Sequence, residues 1–124
     1  MIGTSRTEAK LEAATALGLE HKVLGDEDWP TRVLEITNGL GVNVILDLVG
    51  GAYLKGNQKG LASRGRHIVV GVPAGTKAEF KLQSLMVRRG SIRGTTLRAR
   101  PLDEKGTLLV LLNERYCQAS RRES

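Results

Sequence analysis

Short apolar runs alternate along the chain with segments whose apolar residues recur every three to four positions. Met1-Ile2 reads as the stub of a strand. Residues 7–17 carry Leu11, Ala14 and Leu17 at helical spacing, with Thr4 or Ser5 available as a cap and Gly18 closing the helix. Lys22, Val23 and Leu24 predict a short strand ending at Gly25. Asp26, Glu27 and Asp28 suit a helix N-terminus, and Pro30 fits its first turn. Val33, Leu34 and Ile36 give that helix an apolar face, and Asn38-Gly39 stops it. Residues 42–49 form a short β-branched run that predicts a strand buried on both faces, ended by Gly50-Gly51. A helix is expected over 52–62, a turn at Gly65 and a second buried strand over 66–72. Leu82, Leu85 and Met86 mark a short helix, residues 91–96 a third strand of this group, and Pro101 opens a last helix reaching Asn113. Strand and helix alternating at this spacing predict βαβ units, a parallel sheet and right-handed crossovers.

At 124 residues the length allows one domain, long enough to fold without disulfides. The single cysteine, Cys117, excludes an intramolecular disulfide framework and a Cys-built metal site. No apolar run approaches the roughly 18 residues of a membrane span. Met1-Ile2-Gly3 turns polar at once, so no signal peptide is read and a cytoplasmic setting is expected. The net charge of +6 is unevenly placed: residues 1–62 carry −2 and residues 63–124 carry +8. A basic half favours anionic partners, whether nucleic acid, a phosphorylated cofactor or an acidic surface.

Several segments together carry a resemblance. They are Gly3-Thr4-Ser5 with Glu8 and Lys10, the stretch from Asn43 through Asp47 and Gly50-Gly51 to Tyr53, Leu61 to Arg66, and Val70-Gly71. The stretch from Arg89 to Arg100 follows in the expected order. Each is weak alone; their order and spacing are specific. The chain resembles the zinc-independent quinone oxidoreductases of the medium-chain dehydrogenase/reductase superfamily, over about residues 1–105. The resemblance implies an α/β fold, an incomplete Rossmann-like, doubly wound parallel sheet lacking the first strand and its glycine-rich turn. No G-x-G-x-x-G occurs in the chain, and in the resembled family that turn and a catalytic domain precede the position matching Met1. The expected organisation is a partial NADP-binding domain over 1–105 and a divergent C-terminal helix and frayed tail over 106–124. The missing strand would lie between the Ile2 stub and residues 44–49, which leaves an open edge and leads us to expect self-association.

The resemblance also implies a cofactor site. In dinucleotide folds an acid at the end of the second strand selects NAD, and basic residues there accommodate the 2′-phosphate of NADP. Here the position carries Thr4, Ser5 and Arg6, followed by Lys10, and no acid. Four residues apart, Arg6 and Lys10 are expected on one helical face. The bland alternative is a solvated basic helix start. Val49 and Gly50 end a strand where ligands of open α/β sheets bind, and Gly71, Val72 and Pro73 repeat that logic one strand on; in the family this second loop faces the nicotinamide amide. Each is equally an ordinary turn. The implied partners are NADPH and a small quinone or enone, with no metal and no membrane, and no catalytic residue is assigned within these 124 residues.

The competing reading is a non-enzymatic basic α/β module that binds nucleic acid or a partner protein. Arg88, Arg89, Arg93, Arg98 and Arg100 are its best support. No aromatic residue lies among them to stack a base, so a charged edge strand is expected and nucleic acid is not. His67 and Asp47 are read as structural, Trp29 as a helix-face anchor, and His21 and Cys117 without a role.

Overall fold

The computed structural model describes residues 1–112. The expectations for Cys117, for Asn113 as the end of the last helix and for a frayed tail therefore lie outside the described residues. Residues 1–94 form one compact unit, and the described residues from 95 belong to a second.

In the first unit, β1 (Ile2–Ser5), α1 (Glu8–Ala16), β2 (His21–Leu24), α2 (Trp29–Ile36) and β3 (Val42–Asp47) follow in order. A 3-10 turn at Gly51–Tyr53, α3 (Leu54–Gly60), β4 (Leu61–Val69), α4 (Leu82–Arg88) and β5 (Ser91–Gly94) complete it. Every strand pair is parallel, as strands joined through helices must be. The strands fall into two sheets, β1-β2 and β3-β4-β5. The fold is α/β with parallel sheets, the architecture that the resemblance implies. Among the described residues no strand joins β1 to β3, so each leaves one edge unpaired.

Helix ends follow the chemistry of their residues. Thr7, not Thr4 or Ser5, is the N-cap of α1; Ser5 Oγ instead accepts the Thr7 N–H at 3.3 Å. At the other end Gly18 N–H bonds Thr15 C=O and Leu19 N–H bonds Ala14 C=O, a Schellman closure requiring φ of +102° at Gly18. That closure turns Leu17 out to 90% exposure and buries Leu19 in its place, so Leu17 does not belong to the apolar face read from spacing. Asn38 closes α2 in the same way with φ of +53°.

The core is Val23, Trp29 and Val33, with Ile2, Ile36, Val42 and Tyr53 packed against it. Trp29 anchors its helix as expected and stacks on Tyr53 at a ring-centroid distance of 4.9 Å.

The boundary between α3 and β4 differs from the reading of the sequence, and Gly65, expected as a turn, lies inside β4. The helix expected over 52–62 ends at Gly60, and β4 begins at Leu61. Its register with β3 is irregular between Val42 and Val44 and becomes regular at Arg66, where the strand had been expected to begin. Nor is β3 buried on both faces: Val44, Leu46 and Leu48 are 51%, 65% and 62% exposed. Alternate residues share a face, and beyond Val42, which packs against the core, this one is exposed. The opposite face carries Asp47, at 4% exposure.

β5 is the outer strand of its sheet and exposed along its length, the charged edge expected for Arg93. In the second unit α5 (Leu102–Leu112) follows a turn in which Arg100 bonds Thr96 C=O and Thr95 Oγ1. No helix among the described residues is long and apolar enough to cross a membrane.

Candidate cofactor site

The site residues expected from sequence fall at the C-terminal ends of parallel strands, in two groups. The first group is Val49, Gly50, Gly71, Val72 and Pro73. β3 and β4 are neighbours, so the turns that leave them meet. Val70 N–H and Gly71 N–H both bond Asp47 C=O, at 2.9 and 3.3 Å. Ala74 N–H bonds Val49 C=O at 2.9 Å, and Gly51 N–H bonds Gly75 C=O at 2.9 Å. The two turns are thus laced by backbone bonds.

Gly50 is forced at its position twice over. Its φ is +93°, and a Cβ there would lie 2.7 Å from both Val72 Cα and Gly75 O. Gly50 is buried, Val49 and Gly71 half-buried, and Val72 and Pro73 exposed. The inner part of the lacing is closed and its outer lip is open.

Behind these turns sits a polar group that reading residues singly did not assemble. Asp47 Oδ1 accepts the N–H groups of Val49 and Gly50 at 2.8 and 2.9 Å. Asp47 Oδ2 accepts Asn57 Nδ2 at 3.1 Å and lies 2.8 Å from His67 Nε2. Asp47, Asn57 and His67 are 4%, 4% and 2% exposed. Burial pushes the Asp47 carboxyl up, but the Gly50 and Val49 N–H groups and His67 outweigh it and hold the carboxyl below the usual carboxylate range. The signal was available: an Asp within one apolar strand and a His within the next fall together once the strands pair in parallel. Ile45 opposes His67, and Asp47 is the next residue on that face. The structural reading of both residues holds; Asn57 was missed.

The second group is Thr4, Ser5, Arg6 and Lys10. Thr4 and Ser5 end β1, opposite Val23 and Leu24. Arg6 sits in the bend before α1, and only Lys10 is on the helix. The expectation that Arg6 and Lys10 share a helical face is therefore wrong, because the extended N-cap at Thr7 (φ −122°, ψ 132°) separates them. Both side chains are exposed and take part in no ion pair among the described residues. The nearest carboxylate in sequence, Glu8, lies in the first turn of α1.

Between the two groups runs a cleft of about 650 Å³, walled by Met1, Ile2, Gly3 and Thr4 on one side and residues 42–49 on the other. Thr4 and Val49 both line it, so one member of each group faces a shared space. Trp29, Val33 and Tyr53 contribute its apolar wall.

Arg88 is turned inward: its Nε donates to Leu61 C=O at 2.8 Å and its Nη1 to Ser84 Oγ at 2.7 Å. Among the described residues no three His, Cys, Asp or Glu side chains come together as a metal site.

The family described as zinc-binding dehydrogenase matches residues 1–114. A 2-haloacrylate reductase of Burkholderia sp is 33% identical over 93 residues, covering 74% of this chain and 28% of that protein. A quinone oxidoreductase from Pseudomonas syringae pv. Tomato DC3000 superposes with a TM-score of 0.65 at 30% identity, over 77% of this chain and 30% of its own. An NAD-dependent alcohol dehydrogenase superposes with a TM-score of 0.72 at 33% identity, over 77% of this chain and 28% of its own. The chain spans less than a third of the length of these relatives.

Proposed function

Because the chain belongs to the zinc-binding dehydrogenase family, as a partial nucleotide-binding domain of a medium-chain dehydrogenase/reductase, we propose that it forms the NADP-binding part of a quinone or enone reductase that transfers hydride without metal. The family's name refers to zinc, but the described residues hold no cluster that fits such an ion, and no step is assigned to one. NADPH, when bound, supplies the hydride. This chain's residues bind and orient.

The observation that carries the reading is the placement of both glycine turns at the C-terminal ends of β3 and β4, where they are laced together, with Thr4 and Ser5 at the same end of the parallel strand β1. Ligands of open α/β sheets lie outside those ends. The donor set fits the cofactor: hydroxyls of Thr4 and Ser5, with Arg6 and Lys10 for the 2′-phosphate and no carboxylate on the strand end itself. Val49, Gly50, Gly71, Val72 and Pro73 would form the rim toward the nicotinamide. The relatives named for a 2-haloacrylate and for quinones support an activated alkene or quinone as substrate class. The relative named for NAD makes the choice of cofactor a question for measurement.

Titration of the 124-residue chain with NADPH and NADH, followed by amide chemical shifts, tests this. Shifts at residues 4–10 and 49–73 with tighter binding of NADPH are expected. No shift at either group, or a preference for NADH, would overturn the proposal.

Self-association belongs to the same proposal. The unpaired edges of β1 and β3 and the exposed Val44, Leu46 and Leu48 offer backbone and apolar surface to another chain. Sedimentation should show dimers or larger species; a monodisperse monomer with a cooperative melt would count against it.

A further inference from the structure

Asp47 bonds to both turns of the candidate site. Its carboxylate holds the first through the Val49 and Gly50 N–H groups, and its backbone carbonyl holds the second through the Val70 and Gly71 N–H groups. An ionised carboxylate has about four acceptor positions. Two are taken by the turn, and Asn57 and His67 take the others.

The protonation of the histidine ring follows from the geometry. Nε2 lies 2.8 Å from an Asp47 oxygen and 3.3 Å from Asn57 Nδ2, itself a donor. A bare Nε2 would set its lone pair against the carboxylate, so Nε2 carries the hydrogen and donates to Asp47. The ring cannot swing away, being enclosed at 2% exposure. The carboxylate is consequently gripped from behind by two donors while its front oxygen holds the turn.

We propose that His67 is a positioning residue: its Nε2–H, with Asn57, fixes the Asp47 carboxylate in the one orientation that locks the turn at Val49–Gly50 into the rim of the nicotinamide end of the site. The inference rests on the proposed NADP site for its function, and on Asp47, His67 and Asn57 alone for its structure. Loss of the donor frees the carboxylate to rotate, and the first turn loses its two bonds without any change at residues 4–10.

The test uses the 124-residue chain, with His67→Phe and His67→Gln. Gln keeps an N–H donor at a similar reach; Phe fills the space without one. Nitrogen-15 spectra of wild type at neutral pH should show the ring proton on Nε2. A ring protonated on Nδ1 alone overturns the inference without any variant being needed. In His67→Phe the Val49 and Gly50 amide protons should move toward solvent-like shifts and exchange faster, while those of residues 4–10 stay in place; His67→Gln should restore them. Unchanged Val49 and Gly50 amides in His67→Phe overturn it, and so does a loss that Gln does not rescue.

The ligand arm separates this inference from the reading it rests on. His67→Phe should bind NADPH about tenfold more weakly and adenosine 2′,5′-bisphosphate, which lacks the nicotinamide end, as wild type does. Equal weakening of both probes would mark a general loss of structure and overturn the positioning role. If wild type binds neither probe, the NADP reading fails, and the tautomer and amide measurements still decide the role of His67.

Discussion

The turns after β3 and β4 and the lip after β1 stand at the same ends of parallel strands, yet they are built in opposite ways. The first is made of backbone: glycines, laced carbonyls and amides, and a carboxylate consumed by internal bonds. The second is made of side chains: two hydroxyls and two exposed cations on a bend and a first helical turn. A backbone rim sets shape and tolerates little change. A side-chain lip sets charge preference and costs the fold almost nothing to alter. On the proposed reading, selectivity between cofactors resides in the lip, and the geometry of the nicotinamide end in the rim.

Removing the hub of the rim should give the largest effect. Asp47→Leu leaves two turn amides, Asn57 and His67 without their acceptor in a buried place, and breaking such a group costs about 3–5 kcal/mol. Thr4→Val, on the lip, should stay within about 0.5 kcal/mol. Urea midpoints of the two variants measure the contrast, and similar losses would erase the distinction between the regions.

Gly50→Ala comes next. The added methyl meets Val72 and Gly75 at under 3 Å and sits at positive φ, so a loss of about 3 kcal/mol is expected from strain and overpacking together. Gly18→Ala also places Ala at positive φ but meets nothing within 4 Å, and should cost about 1 kcal/mol. The difference between the two adds the crowding at the rim to the ψ of −139° at Gly50, a backbone conformation that few residues besides glycine adopt.

Acid sharpens the same contrast with a smaller change. The folded Asp47 carboxyl is held below its ordinary range. Its stabilising contribution is therefore complete above the unfolded value of about 3.9 and is lost as pH falls through the folded one. Wild type should weaken across that window more steeply than Asp47→Asn, in urea titrations run from pH 6 to pH 3. Parallel profiles would mean that the carboxylate is not gripped as described.

The order and kind of elements were legible from apolar spacing and from glycine and asparagine stops, because local chemistry decides them: Gly18 and Asn38 close their helices where the pattern ended. What spacing could not give was burial. Val44 and Leu46 look like core residues in any window of sequence, and their exposure depends on which other segments pack on that face. Arg6 was misplaced for a local reason, a cap three residues later than the first available hydroxyl. Asp47 and His67 were each recognised as buried polar residues, but their pairing with Asn57 requires the register of two strands and the position of a helix. The glycine turns were found by position alone, whereas the lacing between them appears only once β3 and β4 are neighbours.

The smallest effect lies on the lip and bears on ligand choice, not on stability. Lys10 is exposed and takes part in no ion pair among the described residues, so Lys10→Ala should leave the melting behaviour unchanged. On the proposed reading its ammonium and the Arg6 guanidinium meet the 2′-phosphate. A charge-assisted bond of that kind is partly screened by water, and a loss of about tenfold in NADPH affinity is expected, equal to about 1.4 kcal/mol. NADH, which has a free hydroxyl at that position, should bind nearly as it does to wild type. The ratio of the two affinities is the quantity to follow, since a fault at the rim would lower both together. Equal loss for the two cofactors would move the 2′-phosphate away from Lys10 and return this segment to a solvated helix start, leaving the rim as the only part of the site built for a ligand.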